Sequence, residues 1–261
     1  MTARAAAPTR PVALVTGAGS AEGIGFAIAR ELGEAGMAVL VCATTERIFA
    51  RADELRGLGI DAEGFVADLT IEAEVAALAR KAEARHGRID VLVNNAGMAQ
   101  LGSPEPFSEL ARMTLGDWML SLNRNLTTAF LVTRALLPGM RERGYGRIVN
   151  ISSTTGTTGS NPGEAAYAAA KAGMVGMTRS LALETAKHGI TANCVAPGWI
   201  ATASSTPEER RAGAFTPMGR AGDPKEIAAA VAFLASSRAS YITGTLLTVD
   251  GGNCLIENKA P

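Results

Sequence analysis

Tyr167 and Lys171 stand four residues apart in an alanine-rich stretch, so on a helix both project from one face. A phenol titrates near pH 10 and is a poor acid–base group at neutral pH. A nearby ammonium favours the phenolate. Bringing the pKa from about 10 to about 7 takes roughly 4 kcal/mol, at 1.36 per unit. One partly desolvated cation at short range can supply much of that. A phenol tuned in this way can give or take a hydroxyl proton while hydride moves at carbon. The pair alone is weak evidence. With three tyrosines and five lysines in 261 residues, chance gives roughly a 6% probability of this spacing. A packed tyrosine beside a solvated lysine fits it equally well.

Other residues could complete such a site. Ser152-Ser153 offers a hydroxyl to a substrate oxygen, although a lone serine more often satisfies a loop backbone. Asn94-Asn95-Ala96-Gly97 reads as a turn, since Asn and Gly tolerate unusual backbone angles. Asn125 is a poor helix former inside a helical pattern, so it either faces solvent or has a polar partner. Thr16-Gly-Ala-Gly-Ser-Ala-Glu-Gly-Ile-Gly25 joins an apolar run to a helical one. Its glycines let the backbone approach a pyrophosphate, which a helix N-terminus attracts with about half a positive charge. The spacing Gly17-x-Gly19-x-x-x-Gly23-x-Gly25 is longer than the usual dinucleotide fingerprint. His86 and His188 each precede a glycine at a helix end and read as dipole partners, not as ligands. Cys42, Cys194 and Cys254 lack metal or disulfide spacing and read as small buried residues. No cluster of carboxylates or histidines suggests a catalytic metal.

These residues need a scaffold. Short β-rich runs alternate with longer helical stretches along the chain. Strands are predicted at Val12–Thr16, Ala38–Cys42, Ala62–Val66, Val91–Asn94, Arg147–Ser152, Thr191–Val195 and Leu246–Val249. Helices are predicted over about 23–35, 46–58, 71–85, 115–143, 165–188 and 224–234. Residues 197–222 are rich in Pro, Gly, Ser and Thr and read as a loop. The strands are unbroken apolar runs, as in strands buried on both faces. The implied fold is one α/β domain, 11–261, with a Rossmann-like, doubly wound parallel sheet of about seven strands. Ligands bind beyond the carboxyl ends of such strands, so the loops after strands one, two, four, five and six should converge.

Bulk properties narrow the class. Hydrophobic residues make up 47% and charged residues 19%, which suits a packed core and excludes disorder. Twenty-five basic residues balance 25 acidic ones, which argues against general nucleic-acid binding. Residues 1–10 lack a signal-peptide core and read as a flexible lead. The longest apolar run, Ile227–Ala235, is far short of a membrane span. A soluble cytoplasmic protein is expected.

Together, the glycine pattern, NNAG, a serine ending strand five and YxxxK, in that order, resemble the short-chain dehydrogenase/reductase superfamily. The resemblance runs from about Pro11 to Gly252. It includes Ala67-Asp68-Leu69, Asn193 to Gly198, Tyr241 to Gly244 and Val249 to Gly252. The pattern is most similar to the 3-oxoacyl-carrier-protein reductases. The resemblance implies that Tyr167 is the general acid/base. Lys171 would hold the nicotinamide ribose and lower the tyrosine pKa. Ser153 would orient the carbonyl, and Asn125 would anchor a water in a proton relay. Cofactor contacts would fall to Gly17, Gly19, Ser20, Gly23, Ile24 and Gly25, with Asp68 and Leu69 at the adenine. Asn95, Ala96 and Gly97 would shape the middle of that site, and Pro197, Gly198, Ile200 and Thr202 would lie at its nicotinamide end. Small-molecule carbonyl and alcohol substrates and a homo-oligomer, dimer or tetramer, are also implied. Three departures stand out: a glycine loop two residues longer, a Ser153–Tyr167 interval one longer, and a short polar segment over 200–220.

NAD-preferring relatives carry an acid at the end of strand two. Ala43 holds that position here, and Thr44, Thr45 or Arg47 could receive a 2′-phosphate. Glu22, before the second loop glycine, points the other way. The balance favours NADP(H) over NAD(H). An NAD-linked alcohol or polyol dehydrogenase is the alternative enzyme. A catalytically silent nucleotide sensor is the alternative of another class, and retention of both Tyr167 and Lys171 argues against it.

Overall fold

The computed structural model describes residues 10–98 and 102–256. Nearly all of the expected N-terminal lead lies outside the described residues. The first unit runs from β1 (Val12–Thr16) through α1 (Ile24–Glu34) to β2 (Ala38–Ala43). The chain continues through α2 (Arg47–Gly57), β3 (Ala62–Val66), α3 (Glu72–His86) and β4 (Val91–Asn94). After α4 (Leu115–Leu122) and α5 (Thr128–Arg143) come β5 (Gly146–Ile151) and α6 (Ala165–Thr185). The last part holds β6 (Ile190–Pro197), α7 (Pro207–Ala214), α8 (Pro224–Ala235) and β7 (Leu246–Val249). The seven strands form one parallel sheet in the order β3-β2-β1-β4-β5-β6-β7.

The apolar runs explain the layers. Alternate side chains of a strand point to opposite faces. Ala13, Val15, Val39, Val41 and Val93 pack on one face against Ile28 and Leu32 of α1, Ile48 and Leu55 of α2, and Val231 and Leu234 of α8. Leu14, Leu40, Cys42 and Leu92 pack on the other against Leu78 of α3, Leu131 and Leu136 of α5, and Leu181 of α6. Strands clothed on both sides need apolar residues at every position, and β1 and most of β2 are buried throughout.

A chain that leaves β1 through α1 for β2, and later sets β4 on the other side of β1, reverses direction between those two strands. That reversal opens a crevice at the carboxyl ends of β1 and β4. A buried polar ladder stiffens the sheet next to it. The Asn94 amide donates to Thr133 Oγ1 at 2.9 Å and Asn150 Oδ1 at 2.8 Å, and the Asn150 amide donates to Thr178 Oγ1 at 2.7 Å.

Three expectations need correction. The segment 197–222 is not all loop, because it contains α7. Thr206 and Glu209 form a reciprocal capping box there, with Pro207 at the first helical position. Composition hid this, since Ser, Thr and Pro mark helix starts as well as loops. The long helix expected over 115–143 is interrupted by a π turn at Asn123–Thr127. The helix expected to reach His188 ends at Thr185 and tightens into a 3-10 turn, Ala186–His188, before left-handed Gly189.

Candidate active site

The glycine loop lies at the crevice. α1 starts at Gly23 with no side-chain cap and no acid in its first turn. Its first N–H groups are therefore turned toward whatever occupies the crevice. Two loop glycines are required by contact with the chain itself. A Cβ on Gly17 would lie 2.7 Å from Ala96 Cα, and one on Gly25 would lie 2.6 Å from the Gly17 carbonyl. Asn95 seals the arrangement by donating to the Thr16 carbonyl at 2.9 Å and the Gly17 carbonyl at 3.0 Å. Thr16, not anticipated from sequence, accepts the N–H groups of Asn95 and Ala96 on its hydroxyl, each at 3.0 Å. The loop after β1 and the loop after β4 are thus one unit.

Around the crevice, Ala43 ends β2, with Thr44 exposed beyond it and Arg47 Nε 3.3 Å from Thr45 Oγ1. No carboxylate stands at Ala43, and one guanidinium stands near. Asp68 follows β3 and holds its own turn, accepting from Thr70 N and Oγ1 at 2.9 and 2.7 Å, above buried Leu69. Pro197 ends β6 and accepts from Thr154 N at 3.0 Å. Gly198 is pressed against Asp250, and Ile200 bridges to Gly222. Thr202 joins Ser205 in a hydrogen-bonded turn leading into α7.

Tyr167 and Lys171 lie on the first turns of α6 and are both buried. The Lys171 ammonium sits 5.6 Å from the centroid of the Tyr167 ring and donates to the Ile151 carbonyl at 2.9 Å. It also crowds the β4 loop, since a Cβ on Gly97 would stand 3.5 Å from Lys171 Nζ and 2.8 Å from Asn125 Oδ1. The two serines divide their duties. Ser152 is buried and donates to the Lys171 carbonyl at 2.9 Å, which ties α6 to β5. Ser153 hydrogen-bonds the Tyr167 side chain. Phe107 meets the Tyr167 ring edge-on, with centroids 6.4 Å apart.

The electrostatics differ from the sequence expectation. Burial pushes the Tyr167 phenol well above its usual range, and the Ser153 hydrogen bond only partly opposes that. Desolvation, more than any charge, also lowers the Lys171 ammonium to about 8. Desolvation disfavours whichever form is charged, so a buried phenol stays neutral even beside a cation. Tyr167 therefore rests as an acid rather than as a phenolate.

Asn125 lies fully buried in the π turn with polar partners. Its Nδ2 donates to the Ser121 carbonyl at 3.0 Å and to both oxygens of Glu105 at 3.2 Å. Its Oδ1 accepts from Met98 N at 2.7 Å. Met98 is the one non-glycine residue with positive φ among the described residues, at 56°. Strained backbone of this kind collects at functional sites. Glu105, Ser121 and Arg124 escaped the sequence reading. Glu105 stands in an irregular Gly/Pro stretch with no periodicity to flag it.

Known proteins resemble this chain along most of its length. Residues 17–253 match the family model described as enoyl-(acyl carrier protein) reductase. The 3-oxoacyl-[acyl-carrier-protein] reductase FabG of Haemophilus influenzae is 44% identical over 246 residues, 92% of this chain and 97% of that protein. The oxidoreductase UcpA of Escherichia coli is 40% identical, over 95% of this chain and 96% of its own. Among solved structures, a single-residue variant of actinorhodin polyketide ketoreductase with NADPH superposes with a TM-score of 0.86. It is 40% identical, covering 95% of this chain and 98% of that one. A putative gluconate dehydrogenase from Agrobacterium tumefaciens superposes at 0.87, with 34% identity over 95% and 97%. The resemblance read from the motifs holds along nearly the whole chain, which belongs to the short-chain dehydrogenase/reductase family and is a nicotinamide-dependent oxidoreductase of ketone and CH–OH groups.

Proposed function

We propose that this enzyme reduces a 3-oxoacyl or related small ketone with NADPH, and that Tyr167, Lys171, Ser153 and Asn125 form its catalytic set. The observation that carries the reading is the convergence of the Tyr167 phenol, the Ser153 hydroxyl and the Lys171 ammonium beside the shared loop unit of β1 and β4. The bare N-terminus of α1 and the absence of a carboxylate at Ala43 suit a dinucleotide with an extra phosphate. Thr44, Thr45 and Arg47 would hold that phosphate, and the loops at 17–25, 68–69, 95–97 and 197–202 would line the remainder. The bound nicotinamide would supply the hydride.

The residues would do the rest. Ser153 and Tyr167 both donate toward the substrate oxygen, which polarises the carbonyl and fixes the face that is attacked. As hydride arrives, the oxygen becomes an alkoxide, far more basic than a phenolate. Tyr167 then releases its proton downhill, even with a pKa raised by burial. Lys171 would hold the ribose and stabilise the phenolate left behind. A tyrosine resting as an acid suits reduction better than oxidation.

The test follows loss of nicotinamide absorbance with NADPH and NADH across 3-oxoacyl thioesters, simple ketones and oxidised sugar acids. Preferential turnover of oxoacyl thioesters with NADPH is expected. Turnover restricted to sugar acids with NADH would replace the reading by a polyol dehydrogenase. Tyr167→Phe should lower kcat by about 10²–10⁴ while nucleotide binding stays nearly intact. Full activity in that variant refutes the assignment.

The same reading places the enzyme in the cytoplasm as a homo-oligomer. No helix among the described residues is long and apolar enough to cross a membrane. α6 presents an exposed face of Ala172, Gly176 and Leu183, small residues leading to a leucine that is 84% exposed. Such a face suits close packing against a second copy.

A further inference from the structure

We propose that Glu105 is a positioning residue of the active site, acting through Asn125 to hold the β4 loop against Lys171. This rests on the reductase reading and extends it to a residue that no motif marks.

Glu105 is 8% exposed, deep for a carboxylate. It accepts the Ser121 hydroxyl and takes the Asn125 amide on both oxygens, each at 3.2 Å. A buried charge persists only when it is satisfied in this way. The backbone that carries it is clamped too. Arg124, also buried, donates to the carbonyls of Ser103 and Pro104, each at 3.1 Å, and to Ser103 Oγ at 2.5 Å. Consecutive residues of the π turn thus hold the 103–105 strap from both sides.

The chemistry of the donors fixes the orientation of Asn125. A carboxylate and a backbone carbonyl both accept, so Glu105 and the Ser121 carbonyl together draw the Nδ2 end of the amide toward themselves. A backbone N–H only donates, so Met98 requires the Oδ1 end. The two demands agree, and the amide has one orientation. The Met98 bond holds its left-handed residue in place, and the preceding Gly97 passes beside Lys171 Nζ. Without Glu105, the Ser121 carbonyl alone is left to hold the Nδ2 end, and the amide that restrains Met98 is anchored less firmly.

The charge matters as well as the shape. Tyr167 faces Glu105 from the strap, Glu164 from the start of α6, Glu209 from α7 and Lys171 from its own helix. Lys171 faces Glu105 and the Cys194 thiol of β6. Glu105 favours the protonated forms of both Tyr167 and Lys171. Removing its charge moves both ionisations to lower pH, and with them the basic limb of the reduction rate.

The experiment uses whichever ketone the wild-type enzyme reduces, with NADPH. Glu105→Ala should lower kcat at least tenfold, with KM for NADPH within twofold of wild type. In an Asn125→Ala background the same change should cost less than threefold. Glu105→Gln keeps an acceptor for Asn125 and Ser121, so it should recover most of kcat while its pH profile shifts to lower pH. A merely structural residue would lower the melting temperature and leave the profile in place. Wild-type kcat in Glu105→Ala, or a wild-type profile in Glu105→Gln, overturns the proposal. Should Glu105→Ala fail to fold, the Glu105→Gln profile alone decides. Tyr167→Phe, run alongside, separates failure of this inference from failure of the reductase reading.

Discussion

Lys171 shows what the site costs the fold. It is 3% exposed, and burial lowers its ammonium from 10.5 to about 8. Below about pH 8 both folded and unfolded chains hold the proton, so the full penalty of the buried charge is present. Between about 8 and 10.5 the unfolded chain binds more protons, so this group's contribution to stability rises with pH. The shift corresponds to roughly 3 kcal/mol. Lys171→Met should therefore stabilise the nucleotide-free protein by about 1–3 kcal/mol at pH 7 while abolishing turnover. That gain should shrink as pH rises past 8. Urea unfolding of both proteins at neutral and alkaline pH checks it, and a destabilised variant at pH 7 contradicts it. Tyr167 and Lys171 stood out in the sequence only in the company of the glycine loop, NNAG and the serine ending strand five, since their spacing alone is weak evidence. Glu105 did not, because a carboxylate in an irregular loop reveals its burial only when a distant helix is laid against it.

Elements carry a different kind of evidence, because glycines of identical sequence appearance have opposite meanings in them. A Cβ on Gly25 would strike the Asn95 amide at 2.5 Å and the Gly17 carbonyl at 2.6 Å. Gly25→Ala should destabilise by at least about 2 kcal/mol and abolish nucleotide binding, since the blocking atoms include backbone. Gly57, the last residue of α2, has nothing within 4 Å of its would-be Cβ. Gly57→Ala should stabilise by about 0.5–1 kcal/mol and leave activity alone. Thermal melts of the two variants, with nucleotide titrations, distinguish them directly. All six helical stretches expected from periodicity are helical, one of them split into α4 and α5 by the π turn, and each strand is within a residue or two of its expected ends. The π turn and α7 were missed for physical reasons. A π turn inserts one residue into a ladder without altering composition. α7 has only eight residues and a weak apolar face, so its capping box was its main signal.

For the whole molecule, the parallel sheet was legible because strands covered on both faces must be apolar throughout. Assembly was less so, since an exposed face shows no partner. Gly176→Leu on the open face of α6 tests the proposed association. Light scattering should show a smaller assembly than wild type, with the monomer fold kept by circular dichroism. An unchanged mass moves the interface elsewhere. The sheet order has one more consequence, and it concerns time. Ala13 of β1 sits beside Val91 of β4, so the central pair joins strands almost 80 residues apart. Tyr167, Lys171 and Pro197 lie further on still. During synthesis, β2 can settle against β1 early, yet the crevice has only one wall until β4 arrives. Contacts this remote in sequence close slowly. A partly made chain therefore holds half a nucleotide cradle with no chemistry beside it, and the strap carrying Glu105 has nothing to grip until the π turn has been made.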